Sequence, residues 1–109
     1  MLLRSAVFVA MLSSVAVVSA DDGVPFACRA ERAQLEINMR QSEERIDSAW
    51  IADDPAQKCA AVRQHIEIMR GAADVFTRCT AGHGREENLG QAIDSIADFE
   101  DIAEEINCP

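Results

Sequence analysis

Two cysteines, Cys59 and Cys79, close the ends of the stretch CAAVRQHIEIMRGAADVFTRC. Between them Val62, Ile66, Met69, Ala73 and Phe76 continue a stripe that starts at Cys59. That is the i, i+3, i+4, i+7 spacing of an amphipathic helix. A helix rises about 1.5 Å per residue, so the intact stretch holds the two sulfurs roughly 30 Å apart. A disulfide needs Cα atoms about 4.4–6.8 Å apart. These two cysteines therefore cannot join each other, and each needs a partner on a flanking segment, where Cys28 and Cys108 lie.

The flanks read as helices too. A first helix is predicted over Phe26–Ala52, with Cys28, Leu35, Met39, Ile46, Ala49 and Trp50 on its apolar stripe. Ser42 falls on that stripe and thins it, while Ile37 and Ile51 sit off it, exposed or turned to the third helix. Asp53-Asp54-Pro55 marks the first turn. Asp54 can accept from the unpaired N–H groups of the next helix, and Pro55 suits its first position, where a missing N–H costs nothing. The second helix spans Pro55–Thr80. Within it Gly71-Ala72-Ala73 forms a flat patch that suits close approach of another helix and can seat Trp50 or Phe99. Thr80-Ala81-Gly82-His83-Gly84 makes the second turn, with Gly82 able to take the left-handed conformation that ends a helix. A third helix is predicted over Arg85–Ile106, with Leu89, Ala92, Ile93, Ile96, Phe99, Ala103 and Ile106 on its stripe. Asn88 and Gly90 weaken its first turn, and Asn107-Cys108-Pro109 stops it.

Four cysteines allow three pairings. Length excludes Cys59 with Cys79. Cys28 with Cys59 would join opposite ends of an antiparallel hairpin. The remaining choice is Cys28–Cys79 with Cys59–Cys108, and it is level on both hairpins: Cys28 and Cys79 are nearly equidistant from Asp53, as Cys59 and Cys108 are from His83. The expected fold is all-α, a three-helix antiparallel bundle built as a helical hairpin plus a third helix, stapled by two disulfides and preceded by a cleaved signal peptide.

Residues 1–20 carry the leader. Arg4 gives a positive start, Ser5 to Val18 an apolar run, and Val18-Ser19-Ala20 compact residues before a cut at Asp21. Residues 21–109 then form a single disulfide-stapled helical domain. Four cysteines with no CxxC fit an oxidising compartment, periplasmic or extracellular, better than a zinc site. Loss of Arg4 with the leader leaves nine basic against nineteen acidic residues. Nucleic acid, which needs a basic face, is not an expected partner. No stretch after the leader is apolar enough to span a bilayer.

Candidate chemistry is sparse. His65 and Met69 stand four apart on one helical face, and Met39 can join them from the first helix. Thioether and imidazole donors suit copper, but both methionines lie on core stripes and His65 flanks the core, so no metal and no cofactor is expected. His83 sits alone between glycines. No G-x-S-x-G occurs and the cysteines are committed to disulfides, so no catalytic residue is named and no enzyme is expected. Arg63, Arg70 and Arg78, with Arg40 and Arg45, are the basic cluster, expected to pair with acids of the first and third helices. Opposite charge on the second and third helices favours their contact. Trp50 with Ile51 forms an apolar tip. Possible partner contacts are therefore Trp50, Ile51, Arg63 and Arg70, and the expected partner is another protein.

The reading that follows is a small exported, non-catalytic interaction module, such as an inhibitor or envelope adaptor. The alternatives are an acid- or stress-protective, chaperone-like protein and a small-ligand or metal carrier.

Overall fold

The structure, a computed structural model, describes residues 26–109. Residues 1–20, expected to be a leader, and the 21–25 lead-in lie outside the described residues. Three helices follow one another: α1 over Phe26–Ala52, α2 over Pro55–Cys79 and α3 over Gly82–Glu105. Among the described residues there is no strand.

Local chemistry sets the boundaries. Asp53 ends α1 with φ 53°, and its N–H returns to Ala49 O at 3.0 Å. Asp tolerates this left-handed backbone better than most residues. Asp54 then caps α2 as its side chain accepts from Gln57 N at 3.1 Å, and Pro55 takes the first turn. At the other end Thr80 is extended and directs both its N–H and its hydroxyl to Phe76 O. Gly82 does adopt a left-handed backbone, φ 63°, but it opens α3 instead of closing α2. The third helix thus starts three residues before the expected Arg85. Arg85 Nε helps by donating to Thr80 O at 2.8 Å. At the far end Asn107, φ 58°, makes a Schellman turn: Cys108 N bonds Ala103 O and Asn107 N bonds Glu104 O. That turn carries Cys108 back toward α2.

Both disulfides join the level pairs. Cys28 meets Cys79 with Cα atoms 5.6 Å apart, and Cys59 meets Cys108 at 5.5 Å. Each closes a loop of about 50 residues, which removes roughly 4 kcal/mol of chain entropy from the unfolded state in the simplest model; the loops overlap, so the two do not add in full.

α2 packs against both neighbours, whereas no Cα of α1 comes within 8 Å of one in α3. Helical geometry accounts for this. Twenty residues at about 100° each leave Cys59 and Cys79 on sides of α2 roughly 160° apart. The two bridges therefore hold α1 and α3 on opposite flanks, with the buried face of α2 between them. On that face lie Ala61, Val62, His65, Ile66, Met69 and Ala72. Leu35 from α1 and Ala92 from α3 meet at Ala72 in one apolar cluster.

The open arrangement corrects several expectations. Ala92 is the one fully buried residue of α3, and Ile93, placed on its stripe, is 53% exposed because α3 has only α2 to cover it. Of the two placements left open for Ile37 and Ile51, exposed or turned to the third helix, the structure has both exposed. A Cβ built on Gly71 meets nothing within 4 Å, so that glycine admits no close helix; the tight approach is at Ala72, 1% exposed. Trp50 is not seated on Gly71; it lies near the end of α1 by the first turn, with Lys58 Nζ 5.4 Å from its ring centroid. Ion pairing also departs from the charge pattern. Arg78 bridges to α1 through Glu31 at 3.0 Å, but Arg70 pairs with Glu67 on its own helix, and among the described residues no ion pair joins α2 to α3. Arg63 shares a shallow groove with Glu100, Asp101 and Glu104 without bonding any of them.

Two substitutions should move stability in opposite directions. Gly71→Ala, in a helix interior with open space around it, should stabilise by about 1 kcal/mol. Val62→Ala, at a fully buried site, should destabilise by about 2 kcal/mol. Chemical denaturation of the oxidised protein checks both.

Candidate functional site

The buried face of α2 carries one polar interruption, and α1 answers it. Ser42 was expected to thin the first helix's stripe and His65 to flank the core. Ser42, 1% exposed, is buried where its stripe position puts it, and His65, 5% exposed, lies in the core instead of at its flank, with Ser42 Oγ 2.9 Å from His65 Nδ1. The level pairing of α1 and α2 causes this meeting: the register that sets Cys28 beside Cys79 also sets Ser42 beside His65. On its other side the imidazole lies against the Phe99 ring of α3, centroids 4.2 Å apart and tilted by 39°. His65 thus touches all three helices.

Burial pushes the His65 pKa below the ordinary 6.5, because a charged imidazolium loses hydration there. The Glu43 carboxylate opposes that shift by attraction. A Ser–His hydrogen bond is also the start of a nucleophile–base pair. Ser42 is too deeply covered for a substrate to reach its oxygen, so the pair acts in packing and in orienting the ring.

Beside His65 a cavity of about 210 Å³ opens between α1 and α3. Met39 and Glu43 of α1 form one wall, Asn88, Gln91, Ala92 and Ser95 of α3 the other, and His65, Met69 and Phe76 of α2 the floor. It exists because α1 and α3 do not close on each other. The His/Met set considered from the sequence is therefore brought to one place. The alternative cluster of ligand-type groups, Cys28, Glu31 and Cys79, offers no metal site, since both sulfurs are in a disulfide. Glu31 Oε2 lies 3.5 Å from Cys79 Sγ, and with no thiol proton there this is a packing contact.

The possible partner contacts separate into two places. Trp50 and Ile51 end α1 beside the first turn, 39% and 86% exposed. Lys58 covers part of the indole and pairs with Asp53 at 2.5 Å, and this hydrogen bond holds the Asp53 carboxyl below its usual range. Arg63, in the groove beside α3, and Arg70 lie two helical turns apart on α2, exposed and away from the tip. His83, expected in the second turn, lies in the first turn of α3, exposed, and pairs with Glu87 one turn on at 2.9 Å. The sequence marked the tip but missed the Ser42–His65 pair. A polar residue on the first helix's stripe, level across the hairpin with a histidine flanking the second, is the available signal.

No protein-family model, curated protein or solved structure matches this chain.

The Ser42–His65 pair leads to two expected outcomes. Ser42→Ala leaves Nδ1 buried without its partner and should cost about 1–3 kcal/mol in urea unfolding. The pH dependence has a definite sign. The unfolded chain takes up a proton on this histidine near pH 6.5, while the folded protein resists to lower pH, so the unfolded state binds more protons in between. Stability should be complete above about pH 6.5 and fall below it, by at most about 1.4 kcal/mol per pH unit from this group. In His65→Gln that component of the pH profile should vanish.

Proposed function

We propose that this protein is a small exported module that works by binding another protein and performs no catalysis, in the manner of an inhibitor or envelope adaptor. The observation that carries the reading is the Trp50–Ile51 tip. A large aromatic side chain and a nearly fully exposed isoleucine stand side by side at the end of a long helix. Water-exposed apolar groups of this size are costly to leave uncovered, and tryptophan is among the residues that most often anchor an interface.

The tip is held at little entropic cost. α1 ends within two residues of it, and the Cys59–Cys108 bridge fixes the adjoining start of α2. Such preorganisation reduces what association must spend on ordering. The two disulfides suit an oxidising location, periplasmic or extracellular, after removal of residues 1–20. The surplus of acids over bases favours a partner with a basic surface around an apolar pocket. Arg63 and Arg70 stand off the tip, where they contribute at most to the rim.

A photo-crosslinking residue at position 51 of the oxidised protein, introduced into cells that make it, tests the proposal. A single partner should be captured in stoichiometric amount, and Trp50→Ala should lower its affinity by about tenfold or more while leaving thermal unfolding nearly unchanged. Equal affinity of Trp50→Ala and wild type would remove the tip from consideration.

A further inference from the structure

The cavity between α1 and α3 collects a donor set that the interaction reading does not use. The sequence has four methionines; Met1 and Met11 fall in the leader, and the other two, Met39 and Met69, both line this cavity with His65. All four cysteines are consumed in disulfides. Thioether sulfur is therefore the soft donor this chain retains, and both copies of it stand at one place, contributed by two different helices.

The histidine is prepared as a ligand. Nδ1 is occupied by Ser42 Oγ at 2.9 Å, and the ring is backed by Phe99. Nε2 makes no hydrogen bond within the described residues, yet no buried side-chain nitrogen is without a partner. Nε2 therefore keeps some accessible surface although His65 as a whole is 5% exposed, and His65 is one of the residues lining the cavity. The tautomer that binds a metal through Nε2 carries its proton on Nδ1, where Ser42 Oγ accepts it. This is the way an outer hydrogen bond fixes the orientation and basicity of a ligating imidazole. His65 and Met69 are one turn apart on the same face of α2, and Met39 comes from the facing wall.

We propose that Met39, His65 and Met69 form a binding site for a single Cu(I) ion. Two thioethers and one imidazole make a soft, neutral ligand set, which selects Cu(I) over the harder divalent ions that prefer carboxylate or water. Glu43 on the cavity wall supplies a negative charge near the monovalent ion. Methionine also suits an oxidising compartment, where cysteine ligands would be lost to disulfide formation. The site is independent of the Trp50–Ile51 tip, and each reading stands or falls without the other.

The test is anaerobic titration of Cu(I) into the oxidised protein in competition with a chromophoric Cu(I) chelator such as bicinchoninate. Wild type should withdraw one equivalent of copper. Ser42→Ala should weaken binding by about tenfold. The double variant Met39→Leu, Met69→Leu, which conserves volume and apolarity, should withdraw none. Failure of wild type to compete, or full binding by the double variant, would overturn the site. Should that variant not fold, the wild type labelled with 13C at the methionine methyls decides. Addition of Ag(I), a redox-inert stand-in, should shift both the Met39 and Met69 signals while Zn(II) shifts neither. A spectrum in which fewer than two methyls respond to Ag(I) contradicts the proposal.

Discussion

The register of two cysteine pairs across α2 governs this molecule. Cys28 can reach Cys79, and Cys59 can reach Cys108, only if three helices run antiparallel with turns at the observed places. The same bonds fix rotation as well as height. Because Cys59 and Cys79 leave α2 on nearly opposite sides, α1 and α3 are tied to different flanks, and no Cα of one comes within 8 Å of the other. A chain of this size with so open a core would be marginal on burial alone, and cross-links that penalise the unfolded state offset the missing helix–helix contact.

That geometry has consequences for chemistry. A closed three-helix bundle would bury Met39, Met69 and Phe76 against one another. Here Met69 is buried on α2, Met39 and Phe76 are only partly covered, and all three border a cavity, while His65 meets Ser42 on one side and Phe99 on the other. The polar pair gives the packed face a directional bond that apolar contacts alone lack. At the end of the bundle the same openness leaves α1 to finish in an exposed indole and isoleucine. Exposed tip and cavity thus both arise from helices that are braced but not enclosed.

Much of this was legible in the sequence. Helix limits came from local events, an Asp-Asp-Pro turn and a Thr-Ala-Gly turn, whose chemistry does not depend on the rest of the fold. The disulfide pairing came from counting. What escaped was rotation: the third helix's stripe puts Ile93 inside and the small-residue patch gives Gly71 a neighbour, and the structure has neither. The angle between the cysteines on α2 was computable from their spacing and would have separated the flanks. Ser42 and His65 were each judged alone, and a buried polar residue becomes favourable only when its partner, 23 positions away, is considered with it. The α2–α3 charge pattern misled because side chains two helices present to solvent need not face each other, and exposed pairs bring little energy to make them do so.

The most direct check on the whole account is proteolysis of the oxidised protein without reduction, followed by mass spectrometry of the linked peptides. The account requires one peptide pair joining Cys28 to Cys79 and one joining Cys59 to Cys108. Recovery of Cys28 bound to Cys59 or to Cys108 would contradict it, since neither bond fits three helices in this register.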